Sequence, residues 1–162
     1  MSFTIHTLEK KWPVIRQVAG RLYRIQRLFV ALWNGVLIEI RPGFEFDGSS
    51  HPTVSYMLIG GAMCGRYTAA TTVHDALYAV QLTTRKEADV CMYDIMRDYS
   101  VGWVKAQAMY WAVRAAGWKA WRSNQKSGRV QDTRESRLVE VIDMRSREQA
   151  VRNERLKGQA DG

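Results

Sequence analysis

Cysteine, histidine and proline are scarce in this 162-residue chain, which holds two, three and three of them. Cys64 and Cys91 are too few for the disulfide framework of a small secreted domain, and no Cys-x-x-Cys or paired-histidine spacing gives a structural zinc site. No apolar run approaches the roughly 18 to 20 residues of a membrane-spanning helix, so no transmembrane segment is expected. The N-terminus lacks the basic, apolar, small-residue order of a signal peptide, which points to synthesis in a cytosol. Gly60-Gly61-Ala62-Met63-Cys64-Gly65 lacks the Gly-Lys-Ser/Thr that ends a phosphate loop. No nucleotide or redox cofactor is therefore expected.

Acidic side chains are the minority, 16 against 24 Lys and Arg, for a formal charge of +8. The excess sits at the two ends: residues 1–30 carry 6 basic and 1 acidic side chains, 31–121 carry 8 and 8, and 122–162 carry 10 and 7. What is plentiful is apolar surface, 46% of residues with 10% aromatic, enough to bury one sizeable core.

Residues 1–20, interrupted at Trp12-Pro13, read as a basic N-terminal arm. From Leu22 to Val30 apolar and polar residues alternate, and Asn34-Gly35 suits the two positive φ angles of a type I′ turn. Val36 to Ile40 is then the returning strand. After Phe44 to Asp47 and an irregular Gly48-Ser49-Ser50-His51-Pro52, helical spacing of Ala70, Val73, Leu77 and Val80 predicts a helix over 67–80. Thr84 and Glu87 form a capping-box pattern ahead of a second helix to about Tyr99. A third helix, Trp103 to Trp121, is expected to turn Val104, Ala108, Trp111, Ala115 and Trp118 to the core. Residues 123–129 read as a polar linker and 130–157 as a charged helix with little apolar surface. The expected fold is α+β: a small N-terminal antiparallel hairpin or sheet on a three-helix core, with an extended charged C-terminal helix. The expected units are the arm (1–20), a core domain (21–122), and the linker with the charged helix (123–162).

His74 and Asp75 on one helix and Asp89 on the next form the candidate site. A short helix connection brings the two helices side by side, which makes His74 and Asp89 contact candidates. A carboxylate on one imidazole nitrogen fixes the tautomer and leaves the other nitrogen as a general base. His74 is then the base and Asp89 its orienter. Asp75, about 100° around the helix from His74, and Asp47 beside Gly48-Ser49-Ser50 are candidate oxygen ligands for Ca²⁺ or Mg²⁺. The competing reading is a satisfied buried network, with Tyr78 and Arg85 at hand, that sets helix register.

Other groups are weaker candidates. Glu45, Glu87, Asp94 and Asp98 read as surface charge. His6 and His51 complete no zinc set with His74, and Ser49 and Ser50 lack a nucleophile elbow. Cys64 reads as an apolar filler or a thiol paired with His74. The aromatics and cations of the third helix suit either a core helix or an interfacial one, and the small residues among them favour the core. Arg16, Arg21, Arg24 and Arg27 could meet phosphates, yet no nucleic-acid motif accompanies them.

The ordered segments Pro42-Gly43-Phe44 to Asp47-Gly48, Ser50 and Pro52, His74-Asp75-x-Leu77-Tyr78, Arg85-x-x-Ala88-Asp89 and Met109-Tyr110-x-x-Val113-Arg114-x-x-Gly117 carry a resemblance. Over about residues 36–121 the chain resembles the bacteriophage and prophage family called domain of unknown function 1353. The resemblance implies a phage-encoded protein, often among late, tail-proximal or lysis genes. Its polar motifs map onto Asp47, His74, Asp75 and Asp89. The chain departs at His51, where the family more usually has an apolar residue. At the level of the site, His74, Asp75, Tyr78 and Asp89 are also similar to the phospholipase A2 helical pair, without its glycine-rich calcium loop or flanking cysteines.

Two functions follow as expectations. One is metal-assisted hydrolysis of a host-envelope component, a lipid ester or cell-wall bond, by His74 and Asp89 with a metal on Asp47 and Asp75. The other is a non-enzymatic virion protein of a tail, neck or baseplate, whose residues 1–20 and 123–162 bind neighbouring phage structural proteins.

Overall fold

The computed structural model describes residues 12–20, 22–46, 65–126 and 137–150. Its strands come mostly first and its helices after, an α+β arrangement with two small antiparallel sheets. In one, β2 (Leu22–Ile25) lies between β1 (Ile15–Ala19) and β5 (Glu45–Phe46). In the other, β4 (Val36–Ile40) lies between β3 (Phe29–Trp33) and β6 (Val139–Asp143). A 3-10 turn at Gly65–Tyr67 leads into α1 (Thr68–Val80), α2 (Arg85–Asp98) and α3 (Trp103–Lys126).

The hairpin is β3–β4, closed by Asn34 and Gly35 at φ 50° and 77° as a type I′ turn requires. Alternation buries Phe29, Ala31 and Trp33 on one strand and Ile38 and Ile40 on the other. The strand expected from Leu22 to Val30 is instead broken at residues 26–28, and the chain changes sheet there. One continuous strand would place Arg27 between Ile25 and Phe29 on the buried face; the break leaves Arg27 exposed while both apolar neighbours are buried. The end of the expected N-terminal arm is also structured. Ile15–Ala19 pairs with β2, and Trp12 meets Tyr99 edge to face at 4.9 Å between ring centres.

The C-terminal segment departs further from expectation. Within the residues read as a charged helix, Val139–Asp143 is a strand that pairs with the open edge of β4, from Ile40↔Val139 to Val36↔Asp143. Arg41 N–H donates to Leu138 O at 2.7 Å, Met144 N–H donates to Gly35 O at 2.9 Å, and residues 144–150 are helical. The run Val139-Glu140-Val141-Ile142 is rich in β-branched residues and fits a half-buried strand better than a helix. α3 also continues through Lys126 into the expected linker. The boundary expected near residue 122 therefore does not part the C-terminal segment from the sheet.

All 13 residues of α1 are buried, so this helix is the centre of the molecule. It packs on α2 and α3 and touches β4 and β5. α2 begins on the capping box: Thr84 accepts from Glu87 N–H at 3.2 Å and Glu87 accepts from Thr84 N–H at 2.8 Å. α3 reverses the expected orientation. Its buried positions are Ala106, Met109, Val113 and Gly117, whereas Val104, Trp111 and Trp118 face solvent. Gly117 lets α3 lie close against α1, where the Tyr78 hydroxyl leaves no room for a side chain.

Candidate functional site

His74 and Tyr78 lie one turn apart on α1, with ring centres 4.1 Å apart. The connection after Gln81, which ends α1 in a left-handed conformation at φ 50°, returns the chain so that Asp89 of α2 stands beside both. His74 Nε2–H donates to Asp89 Oδ1 at 2.9 Å, and Tyr78 O–H donates to the same oxygen at 2.6 Å. Asp89 Oδ2 accepts from Arg114 Nη1 on α3 at 2.7 Å and from Arg85 Nη1 at 3.4 Å. Arg85 also donates to the carbonyls of Val113 and Arg114. One carboxylate thus joins all three helices, and its two oxygens serve different partners.

The electrostatics follow from burial and charge. His74 and Asp89 have no exposed surface. Burial alone disfavours the charged imidazolium, but hydrogen bonding and charge from Asp75 and Asp89 outweigh it and raise the His74 pKa above its ordinary 6.5. For Asp89, burial acts to raise the pKa, and His74, Tyr78 and Arg114 overcome it and hold the carboxyl below its ordinary 3.8. Burial, with Asp89 close by, pushes the Tyr78 phenol far up, so it acts as a neutral donor. The arrangement can hold a charged His–Asp pair away from water and direct His74 Nδ1 toward Asp75, whose Oδ1 lies 3.9 Å away.

Of the four expected site residues, the structure brings His74, Asp75 and Asp89 together, and Asp47 lies outside the described residues. Asp75 is buried to 7% exposure beside His74 Nδ1 and offers one carboxylate to a cation. Among the described residues no three His, Cys, Asp or Glu side chains gather where an ion could sit. The described residues therefore do not by themselves form a Ca²⁺ or Mg²⁺ site.

Arg114 is the site residue that sequence reasoning missed as a partner of Asp89. Its signal was an arginine within the Val113-Arg114-x-x-Gly117 motif, on a helix that is otherwise nearly apolar there. Asp94 was expected at the surface, yet its Oδ2 accepts from Trp33 Nε1–H at 2.8 Å and ties β3 to α2. Burial raises its pKa, with the indole bond opposing. Cys91 is buried and free, and burial pushes its thiol well up, as for an apolar filler. His6, Ser49, Ser50, His51 and Cys64 lie outside the described residues.

Comparison with known proteins adds a family without an activity. The model of the family described as "Protein of unknown function (DUF1353)" matches residues 26–113. An uncharacterized protein, y4jT, of Sinorhizobium fredii (strain NBRC 101917 / NGR234) is 36% identical over 85 residues, which cover 52% of this chain and 25% of that protein. The match thus spans about a quarter of that relative's length. No solved structure matches the chain.

Proposed function

Since this chain belongs to the DUF1353 family of proteins of unknown function, we propose its activity from the site itself: hydrolysis of an ester in a host-envelope component, with His74 as general base. The observation that carries this reading is the 2.9 Å bond from His74 Nε2 to an Asp89 that Tyr78 and Arg114 hold in place. In this reading neutral His74, with its proton on Nε2, takes a proton on Nδ1, the nitrogen that faces Asp75, and an opening of the helices around the buried ring admits the water. Water oxygen bonds to the ester carbonyl carbon as its proton passes to Nδ1, and the imidazolium is stabilised by Asp89 and Asp75. The carbon–oxygen bond to the alcohol then breaks, and Nδ1 returns the proton to the departing alkoxide. Asp89 acts as a positioning residue throughout. A divalent ion held by Asp75 would take Asp47 as a further ligand and would polarise the ester carbonyl. The phage setting and the envelope substrate rest on the family resemblance.

The complete burial of His74 favours a second reading, a virion protein in which the network clamps three helices and the termini bind neighbouring subunits. The two readings separate on His74→Ala and Asp75→Asn, assayed against phospholipid vesicles and peptidoglycan. Lost turnover with melting temperatures near wild type supports the hydrolase. No turnover from the wild-type chain, with a large stability loss in His74→Ala, supports the clamp.

A further inference from the structure

α3 turns its largest apolar side chains away from the protein. Trp103 and Trp111 are each 61% exposed and Trp118 is 44% exposed. At 100° per residue the three fall within about 80° of the helix circumference, and they span about 22 Å along its axis. Val104, more exposed still, borders the same stripe. Among the described residues no packing requirement explains a row of indoles in water, because the buried positions of α3 are Ala106, Met109, Val113 and Gly117.

The charges along α3 are of one sign. The helix carries Lys105, Arg114, Lys119, Arg122 and Lys126 and no Asp or Glu. Arg114 is engaged with Asp89, whereas the Arg122 guanidinium and the Lys119 ammonium lie 5.2 and 5.8 Å from the centre of the Trp118 ring. At the other end of the row, Arg66 and Lys105 line a cavity of about 480 Å³ beside Trp103. Cations therefore flank the indoles at both ends. No described helix is long and apolar enough to cross a membrane, but a helix with indoles and cations on its exposed face is suited to lie on one.

We propose that the exposed face of α3 docks on an anionic phospholipid surface, with Trp103, Trp111 and Trp118 among the headgroups and Lys105, Lys119 and Arg122 beside lipid phosphates. Charge complementarity selects this occupant: the face offers no carboxylate to a basic partner, and its cations match a surface dense in phosphate. The indoles supply the apolar contact that cations alone lack. The inference stands whether or not His74 hydrolyses an ester.

Flotation of the full-length chain with vesicles tests it, phosphatidylcholine alone being compared with phosphatidylcholine containing phosphatidylglycerol. The chain is expected to float with the anionic vesicles, to bind the neutral ones more weakly, and to be released as salt rises. Trp111→Ser with Trp118→Ser is expected to weaken anionic-vesicle binding about tenfold or more with an unchanged melting temperature, since both rings are exposed. Absence of flotation with anionic vesicles, or equal flotation of the double variant, overturns the proposal. So does self-association by sedimentation that the double variant abolishes without any vesicle binding, which assigns the face to a second copy of the chain. Because flotation is read without turnover, a chain that floats but hydrolyses nothing keeps this inference and loses only the hydrolase reading.

Discussion

The Tyr78 hydroxyl lies 2.6 Å from the point where a Cβ on residue 117 would stand. Gly117 is thus the position at which α3 passes over α1 with no room for a methyl group. The same hydroxyl donates to Asp89, so a backbone position on α3 shapes the surroundings of His74 without touching it. Two polar contacts hold the crossing: Gln81 Nε2 donates to Trp121 O at 2.8 Å, and Asn124 Nδ2 donates to Tyr78 O at 3.0 Å.

Gly117→Ala is expected to destabilise the protein by about 1 to 3 kcal/mol through overpacking, even though alanine is the better helix former. Tyr78→Phe, which deletes the obstructing oxygen, is expected to cost about 1 to 2 kcal/mol on its own by removing a donor from a buried carboxylate. In the double variant the clash is relieved, and the combined loss should fall short of the sum of the two. Denaturant unfolding of the four proteins measures the coupling; strict additivity would mean that the hydroxyl and the α3 backbone do not compete.

The two arginines on Asp89 should differ in worth. Arg114 meets the carboxylate at 2.7 Å and Arg85 at 3.4 Å, and their side chains are 25% and 22% exposed. With exposure nearly equal, the short bond of Arg114 to the buried charge is expected to outweigh the longer bonds of Arg85 to Asp89 and to the Val113 and Arg114 carbonyls. Arg114→Met is expected to cost about 1 to 3 kcal/mol, because it weakens compensation of a buried charge, and Arg85→Met less. Equilibrium unfolding that ranks Arg85 above Arg114 would contradict this geometry.

Stability should depend on pH through His74 and Asp89 in opposite directions. The His74 pKa is raised, so its contribution is whole below 6.5 and is lost as pH climbs through the higher folded value. The Asp89 pKa is lowered, so its contribution is whole above 3.8 and is lost as pH falls through the lower folded value. Both are complete between 3.8 and 6.5. Unfolding free energies followed to alkaline pH should decline above 6.5, and His74→Gln should flatten that decline. If His74 is the general base, kcat/KM should rise with pH through a value above 6.5, since only the neutral imidazole accepts a proton.

Truncation should expose the role of β6. A chain ending at residue 150 keeps every described contact of the second sheet and is expected to unfold cooperatively. One ending at Lys126 loses the strand beside β4 and the buried Val139, and is expected to lose several kcal/mol or its cooperative transition. Equal stability of the two chains, read by urea unfolding, would place β6 outside the folding unit.

The candidate site was legible to the extent that it is local. The capping box at Thr84 sets where α2 starts, and the short connection before it brings Asp89 to His74 and Tyr78, so their contact follows from spacing. The burial of His74 follows from α1 being the central helix, which no local pattern states. Arg114 was out of reach for a related reason. It is 25 residues from Asp89, and its direction depends on which side of α3 faces inward. That helix is apolar on several faces, so periodicity offers more than one stripe and does not choose between them.

Sequence by itself determined the β3–β4 hairpin, through the left-handed tolerance of Asn34-Gly35, and the three helices, through periodicity and capping. It also determined the pairing of His74 with Asp89, because all these signals act over a few residues or one short connection. Tertiary structure alone decided that Val139–Asp143 is a strand, since an edge of β4 must be present to accept its backbone hydrogen bonds. It likewise decided which face of α3 is buried. Close approach at Gly117 requires a residue without Cβ inward, and that choice leaves Trp103, Trp111 and Trp118 in solvent.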